Sequence, residues 1–265
     1  MKKLSYFAAF LFLIAGTLTS CSQNDSSPQA TGGSGLSSNS ADSRGTLPGQ
    51  GKAGSMARFA ISGNHLYAVD NTKLNIFDIS NPGQPQKQGE MPLSFGVETI
   101  FPYGDHLFIG TMSGMYILGI QNPAAPSHVA YYQHVVSCDP VVTDGRYAYV
   151  TLSSGTTCMR AVNRLEIVDL QNLANPFLLT EYPMTNPKGL GIDGTNLFVC
   201  DDGLKLYDAT DVMNLQQKQH FNINAYDVIP DNGHLLVIGA DGFYQYQYQN
   251  NSLSLLSKIP VQRPL

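Results

Sequence analysis

The chain has 265 residues, a length that accommodates one or two domains. Charged residues make up 13% of it, against about 25% in an ordinary soluble domain, and the formal net charge is −5 at pH 7. A net-acidic chain without a run of Lys or Arg argues against nucleic acid as a partner, because phosphate contacts need clustered basic side chains.

The first 20 residues have the pattern of a secretory signal. Lys2 and Lys3 precede an apolar segment over residues 4–18 that is too short to span a bilayer comfortably. The segment ends in Leu-Thr-Ser-Cys at residues 18–21, which resembles a bacterial lipobox. This resemblance implies a signal peptide over 1–20, a lipidated Cys21 and a lipid-anchored protein of the cell envelope, in the outer membrane and facing the periplasm or the surface. The alternative is an ordinary secretory signal with a Cys at its cleavage site.

Residues 21–55 are predicted to be a disordered tether. Sixteen of these 35 residues are Ser or Gly, and Leu36 and Leu47 are the large aliphatic residues among them. Such a segment cannot bury enough apolar surface to offset the loss of chain entropy. As a Gly/Ser coil it has an end-to-end distance of roughly 30 Å.

A turn followed by a short apolar run recurs five times after residue 55. The fourth residue of each copy serves as a marker, and the markers lie at Leu66, Leu107, Ala148, Leu197 and Leu235, in steps of 41, 41, 49 and 38 residues. A second motif follows four of these markers: LNIFDI at 74–79, MYILGI at 115–120, LEIVDL at 165–170 and LKLYDA at 204–209. Asn-Pro-x-x-Pro occurs at 81–85 and 122–126.

A period near 40 with four short strands per unit is typical of a β-propeller blade. The sequence therefore predicts an all-β propeller of about five four-stranded blades over residues 56–261, with the first strands at 56–61, 65–69, 73–79 and 86–90. A β-sandwich is the alternative, although it does not explain the repetition. No strand is exchanged between the ends, so closure requires face packing of blade 5 against blade 1, unless part of 46–55 adds a strand. We favour a closed ring, with an incomplete ring that needs a partner as the other possibility.

The hexads together with Asn-Pro-x-x-Pro resemble the LVIVD repeat of bacterial surface propellers, which are common in lipoproteins of Bacteroidetes-type bacteria. The resemblance covers residues 56–261, with blades 4 and 5 the divergent ones because they lack Asn-Pro-x-x-Pro. It implies surface display and binding, without an established chemistry.

In a four-stranded meander, the connections between blades and the loops between the second and third strands lie on one face. Residues eight and nine before each marker fall on that face, at the predicted mouth of the central channel. They are Arg58, Thr99, Pro140, Gly189 and Asp227 in one column, and Ala57, Glu98, Asp139, Lys188 and Tyr226 in the other. Convergent charged groups predict a site for a polar ligand, while solvated or mutually paired charges are the alternative.

The third blade carries an insertion over residues 153–164 on the same face, which adds Arg160 to the predicted site. If Cys21 is lipidated, three cysteines remain: Cys138, Cys158 and Cys200. Cys138 and Cys158 fall on the same face of the predicted propeller, and we predict a disulfide between them that contributes roughly 3 kcal/mol to stability. A nucleophilic Cys138 or Cys158 beside Asp139 is the alternative. Cys200 lies in a strand and is interpreted as a small core residue.

Recurring residues elsewhere favour structural interpretations. His65, His106 and His234 share one turn position in different blades, too far apart for one metal ion, so we predict neither a metal site nor a cofactor. Tyr residues at 244, 246 and 248 alternate with Gln, which favours packing over a sugar-binding aromatic surface.

Two functions fit these patterns. The first is a non-catalytic scaffold, held by lipid, that presents its insertion face to a protein or glycan. The second is a propeller hydrolase or lyase that acts on a polar substrate at the channel mouth, with Glu98, Asp139 or Asp227 as acid or base. Because the sequence contains no recognisable catalytic constellation, we favour binding.

Overall fold

The computed structural model describes residues 54–135, 137, 140–154 and 162–261. Within these ranges the chain forms 20 β-strands arranged as five four-stranded antiparallel sheets. Each sheet is a meander in which consecutive strands pair, so the sheets are blades 1 to 5 in chain order. The described part of the chain therefore has the predicted all-β architecture of five four-stranded units.

The strands follow the repeat closely. Blade 1 contains β1 (Phe59–Ser62), β2 (His65–Val69), β3 (Lys73–Asp78) and β4 (Gln86–Pro92). Blade 2 contains β5 (Val97–Tyr103), β6 (His106–Thr111), β7 (Gly114–Gly119) and β8 (Ser127–Gln133). Blade 3 contains β9 (Val141–Thr143), β10 (Tyr147–Leu152), β11 (Arg164–Asp169) and β12 (Phe177–Pro183). Blade 4 contains β13 (Pro187–Asp193), β14 (Asn196–Asp201), β15 (Leu204–Asp208) and β16 (Gln216–Phe221). Blade 5 contains β17 (Ala225–Asp231), β18 (His234–Gly239), β19 (Gly242–Gln249) and β20 (Ser252–Pro260).

Consecutive blades pack face to face. Four clusters of buried apolar side chains lie between blades 1 and 2, 2 and 3, 3 and 4, and 4 and 5. In blades 2 to 5 the marker residue packs on the blade before it, and in blades 1 to 4 the next residue packs on the blade after it. We call these two faces of a blade its preceding side and its following side. Burial on both sides explains why the second strands of the middle blades have runs of uncharged, mostly apolar residues at 107–110, 147–150 and 197–200.

The first strands of neighbouring blades also contact one another, in the order β1–β5, β5–β9, β9–β13 and β13–β17. This arrangement places the connections between blades and the loops between second and third strands on one face, which we call the upper face. The turns between first and second strands lie on the opposite, lower face.

A β-bulge occurs at one position in every blade. The register between the third and fourth strands shifts after Ile76, Ile117, Ile167, Leu206 and Gln245, which are equivalent positions. In each case the fourth strand carries the extra residue, so the outermost strand twists away from a flat edge.

The start of blade 1 differs from the prediction. The first strand begins at Phe59 rather than residue 56, because Gly54, Ser55 and Met56 form a turn closed by a hydrogen bond from Ala57 N to Gly54 O of 3.1 Å. Ser55 is 0% exposed. It lies against blades 4 and 5, which connects them to the beginning of blade 1.

The structure shows four contacts between consecutive blades and the link through Ser55. Closure of the ring by packing of blade 5 on blade 1 stays a prediction. Within the described ranges, no helix has the length and apolar character that a membrane crossing requires.

Candidate functional site

A cavity of about 770 Å³ opens on the upper face. Its walls come from blades 1 to 4 and consist of strand starts, blade connections and loops. The lining residues are Met56, Arg58, Asn71, Phe95, Gly96, Val97, Glu98, Thr99, Met112, Pro140, Ser153, Pro187 and Lys188. Its volume lies within the usual range for small-ligand sites, about 300–1,000 Å³.

Local bulges direct three of the predicted site residues. The register between the first and second strands shifts around Glu98 in blade 2, around Lys188 in blade 4 and around Tyr226 in blade 5. A bulge re-aims the side chain of its extra residue and is common beside functional sites. All three side chains are half-buried, and Glu98 and Lys188 line the cavity.

Two cationic side chains define the electrostatics of the cavity. The Arg58 guanidinium donates to Val97 O over 3.2 Å and to Asn71 Oδ1 over 3.4 Å, and its side chain is exposed. Lys188 Nζ donates to Asn224 Oδ1 over 3.1 Å and lies 4.7 Å from the centre of the Tyr226 ring. The Tyr226 ring therefore holds the ammonium group by a cation–π contact. Both cations line the cavity, and a guanidinium and an ammonium group have more donors than these contacts use, which suits an anionic or carbonyl-bearing group.

Apolar side chains form the rest of the rim, and sequence patterns did not identify them. Phe95 is 73% exposed and Met56 is 47% exposed, with Met112 beside them. Phe95 belongs to Leu-Ser-Phe-Gly at 93–96, between the fourth strand of blade 1 and the first strand of blade 2. Phe95 could have been predicted from the sequence, because it is a large aromatic residue in a connection on the same face as the two columns of charged residues.

Asp227 is part of the framework behind the cavity and does not line it. Its carboxylate accepts hydrogen bonds from Ser55 Oγ and Val228 N, both 2.9 Å, and from Met56 N, 3.2 Å. Burial raises the pKa of Asp227, and these hydrogen bonds oppose the rise. A Cβ at Gly189 would lie 2.1 Å from Asp227 Oδ1, so only glycine lets the strands approach this closely. Asp227 therefore holds the start of blade 1 against blades 4 and 5.

The base of the third-blade insertion is ordered by polar contacts. Asn163 Oδ1 accepts from Ser154 N over 2.9 Å, and Asn163 Nδ2 donates to Thr185 O over 2.7 Å. Ser137 Oγ donates to Ser153 O over 2.8 Å. The predicted site residues Asp139 and Arg160, the predicted Cys138–Cys158 disulfide and the predicted lipidation site Cys21 lie outside the described residues.

Other side chains singled out in the sequence have structural placements. His65, His106 and His234 each begin a second strand directly after a turn. Across the described ranges, no three His, Cys, Asp or Glu side chains are grouped closely enough to hold a metal ion. Cys200 is fully buried, which confirms its interpretation as a core residue, and burial raises the pKa of its thiol. The three Tyr residues of β19 are 3–7% exposed and pack on blade 4, which confirms the packing interpretation.

The comparisons with known proteins agree with the repeat and the fold. The family model described as the LVIVD repeat matches residues 52–91. No curated protein sequence matches the chain.

Similar solved structures include a protein from Lactobacillus plantarum, with a TM-score of 0.61 and 13% identity over 74% of this chain and 67% of the other. A putative 6-phosphogluconolactonase from Bacteroides uniformis has a TM-score of 0.58 and 16% identity over 75% of this chain and 69% of its own. The periplasmic gluconolactonase of Pseudomonas aeruginosa has a TM-score of 0.57 and 13% identity over 76% of this chain and 69% of its own. The chain thus spans about two thirds of the length of each structure, and the likeness concerns the fold. This chain carries an LVIVD repeat at its first blade and has the fold of a β-propeller.

Proposed function

We propose that the protein is a lipid-anchored envelope protein whose propeller is a non-catalytic scaffold that binds a protein or glycan at the upper face. The observation that carries the proposal is the 770 Å³ cavity, whose lining combines Arg58 and Lys188 with exposed apolar side chains such as Phe95. Convergent polar groups set the orientation of a ligand, while apolar walls supply contact area. A ligand with an anionic or carbonyl group next to an apolar part fits this combination.

Substitution of both cations tests the cavity. In the full chain, Arg58→Ala with Lys188→Ala removes the two donors, and we expect at least a tenfold loss of partner capture from envelope extract. The matched control is Arg146→Ala with Lys218→Ala, which removes two exposed cations on the lower face and on the outer strand of blade 4. Equal capture by both double variants contradicts a role for the cavity.

The anchor is supported by the sequence at residues 18–21 and is tested separately. We expect Cys21→Ala to move the protein from the membrane fraction to the soluble fraction and to abolish incorporation of labelled palmitate. Unchanged fractionation and labelling contradict lipidation at this cysteine.

A second candidate is a propeller enzyme acting at the same cavity. It is favoured by the presence of Glu98 beside two cations, and by the gluconolactonase names of two structures that share the fold. Hydrolysis of gluconolactone by the full chain above the buffer rate, abolished in Glu98→Gln, would replace the scaffold with this function. We expect no such rate.

A further inference from the structure

The preceding side of blade 1 is exposed where the same side of every other blade is buried. Phe59 pairs with Ala68 in the register and is 59% exposed. The residues at this register in blades 2 to 5 are at most 1% exposed: Ile100, Val141, Leu190 and Val228. Ile61 on the same side is 39% exposed, and the marker Leu66 is half-buried although the other four markers are 0% exposed.

The following side of blade 5 shows the same departure. The residue after the marker is at most 2% exposed in blades 1 to 4, where it is Tyr67, Phe108, Tyr149 and Phe198. Its counterpart in blade 5, Leu236, is half-buried, and Ile238 and Ile259 beyond it are 46% and 63% exposed. Blade 5 therefore has one buried side, on blade 4, and one open side.

These two open sides border the same space. The hydrogen bond from Met56 N to Asp227 keeps the beginning of blade 1 beside the first strand of blade 5. Both sides carry apolar residues at the positions that form the buried clusters elsewhere, with the uncharged Asn75 and Gln245 beside them. On blade 1 the charged Lys73, Lys87 and Glu90 share this side and are paired with one another. Apolar positions left facing water on a repeated packing surface are a mark of an interaction site.

Residues 21–53, which precede the first blade, do not match this surface in chemistry. Between residue 21 and residue 53 the large aliphatic residues are Leu36 and Leu47, amid Ser and Gly. The four interfaces inside the molecule instead show what packs on such sides, namely a β-sheet that presents mainly apolar side chains. About a third of the chain of each of these solved structures lies outside the part that the protein matches.

We propose that the partner of the scaffold is a protein, and that it packs an apolar β-sheet surface between the open sides of blade 5 and blade 1. This deepens the proposed function, because it selects protein over glycan as the partner class, and it rests on that function. The open sides adjoin the cavity, since Met56 lines the cavity and Phe59 follows three residues later. One protein partner can therefore reach both.

Site-specific photo-crosslinking in the native envelope tests this proposal. A photoreactive phenylalanine analogue replaces Phe59 in one variant of the full chain, Ile238 in a second and Phe177 in a control. Phe177 is 51% exposed on the outer strand of blade 3, away from both open sides. We expect positions 59 and 238 to crosslink to the same foreign polypeptide and position 177 to give none of it.

Each other result overturns the proposal. Crosslinks to a second copy of the chain make the surface a self-association site, and crosslinks from position 59 to blade 5 of the same molecule show that the ring closes by itself. Absence of any crosslink at both positions removes the partner.

A double variant supplies a second measurement. We expect Phe59→Asp with Ile238→Asp to reduce the crosslinked product from a third position, Ile259, at least tenfold without lowering Tm. A Tm lowered by ten degrees or more indicates that these side chains are buried within the molecule, which overturns the proposal. Unchanged capture in the Arg58 and Lys188 double variant, with crosslinks from positions 59 and 238 to one foreign polypeptide, refutes the cavity and leaves this inference standing. Lost capture in that variant, with no such crosslinks in the otherwise unchanged chain, refutes this inference and leaves the cavity standing.

Discussion

Ser55 joins three blades through one hydroxyl group, so its removal should destabilise the whole domain. Leu190 N of blade 4 donates to Ser55 Oγ over 2.8 Å, and the same hydroxyl donates to Asp227 Oδ1 of blade 5 over 2.9 Å. Ser55 itself leads directly into blade 1. Ser55→Ala removes the oxygen and leaves the backbone almost unchanged, which makes it a clean perturbation.

The magnitude follows from the two lost hydrogen bonds. A buried backbone N–H without an acceptor costs about 1–3 kcal/mol, and a hydrogen bond to a charged group contributes about 1.5–3 kcal/mol. Allowing for partial relaxation, we expect Ser55→Ala to lower the free energy of unfolding by about 3 kcal/mol. In a domain of about 200 residues each kcal/mol shifts Tm by about 2–4 °C, so Tm should fall by about 6–12 °C.

Thermal unfolding of the full chain, followed by circular dichroism, measures this effect. Ser254→Ala on the exposed outer strand of blade 5 is the control and should change stability by less than about 0.5 kcal/mol. A Ser55→Ala protein that melts within one degree of the wild type refutes the view that this hydroxyl fastens blades 4 and 5 to the first blade.

Three further outcomes are expected. Because burial raises the pKa of Asp227 above about 3.9, the stability that it contributes is fully present below about pH 4 and is lost as pH rises through its folded-state pKa. The difference in unfolding free energy between the wild type and Asp227→Asn should therefore shrink as pH rises above about 4, and a constant difference to about pH 8 contradicts this. The raised thiol pKa and complete burial of Cys200 predict that iodoacetamide labels it, in peptide mapping by mass spectrometry, only after unfolding; labelling of the native protein contradicts its core position. Arg164→Ala leaves the carboxylate of Glu166, which is 1% exposed, without its ion pair and should cost about 3 kcal/mol in urea unfolding, whereas Lys87→Ala at an exposed pair should cost less than about 1 kcal/mol; equal costs contradict the argument.

The repeat could be read from the sequence because each blade is a local structure. Turn residues such as Gly63 and Gly104 precede the second strands, and the spacing of the markers directly gives the blades. The boundary at blade 1 could not be read in this way. Ser55 is ordered by Asp227, 172 residues away, and nothing in the local composition of a Ser/Gly segment indicates such a contact.

The sequence predicted the charged residues that line the cavity, but it did not predict the apolar residues of the rim. Counting back from the markers identified Arg58, Glu98 and Lys188, since equivalent positions of a repeat share a level in the fold. The same count also selected Asp227, which turns inward because the preceding bulge and the glycine at position 189 admit its carboxylate between strands. Bulges depend on the neighbouring strand, so a count along one strand does not register them.

The bulge shared by the outermost strands affects how readily molecules of this protein associate edge to edge. Each blade ends in a strand with one unpaired backbone edge, and straight edges of this kind add strands from neighbouring molecules. One surplus residue at the same place in β4, β8, β12, β16 and β20 gives each rim a local kink. Neighbouring copies then meet bent edges out of register, so the periphery resists fibre-like association.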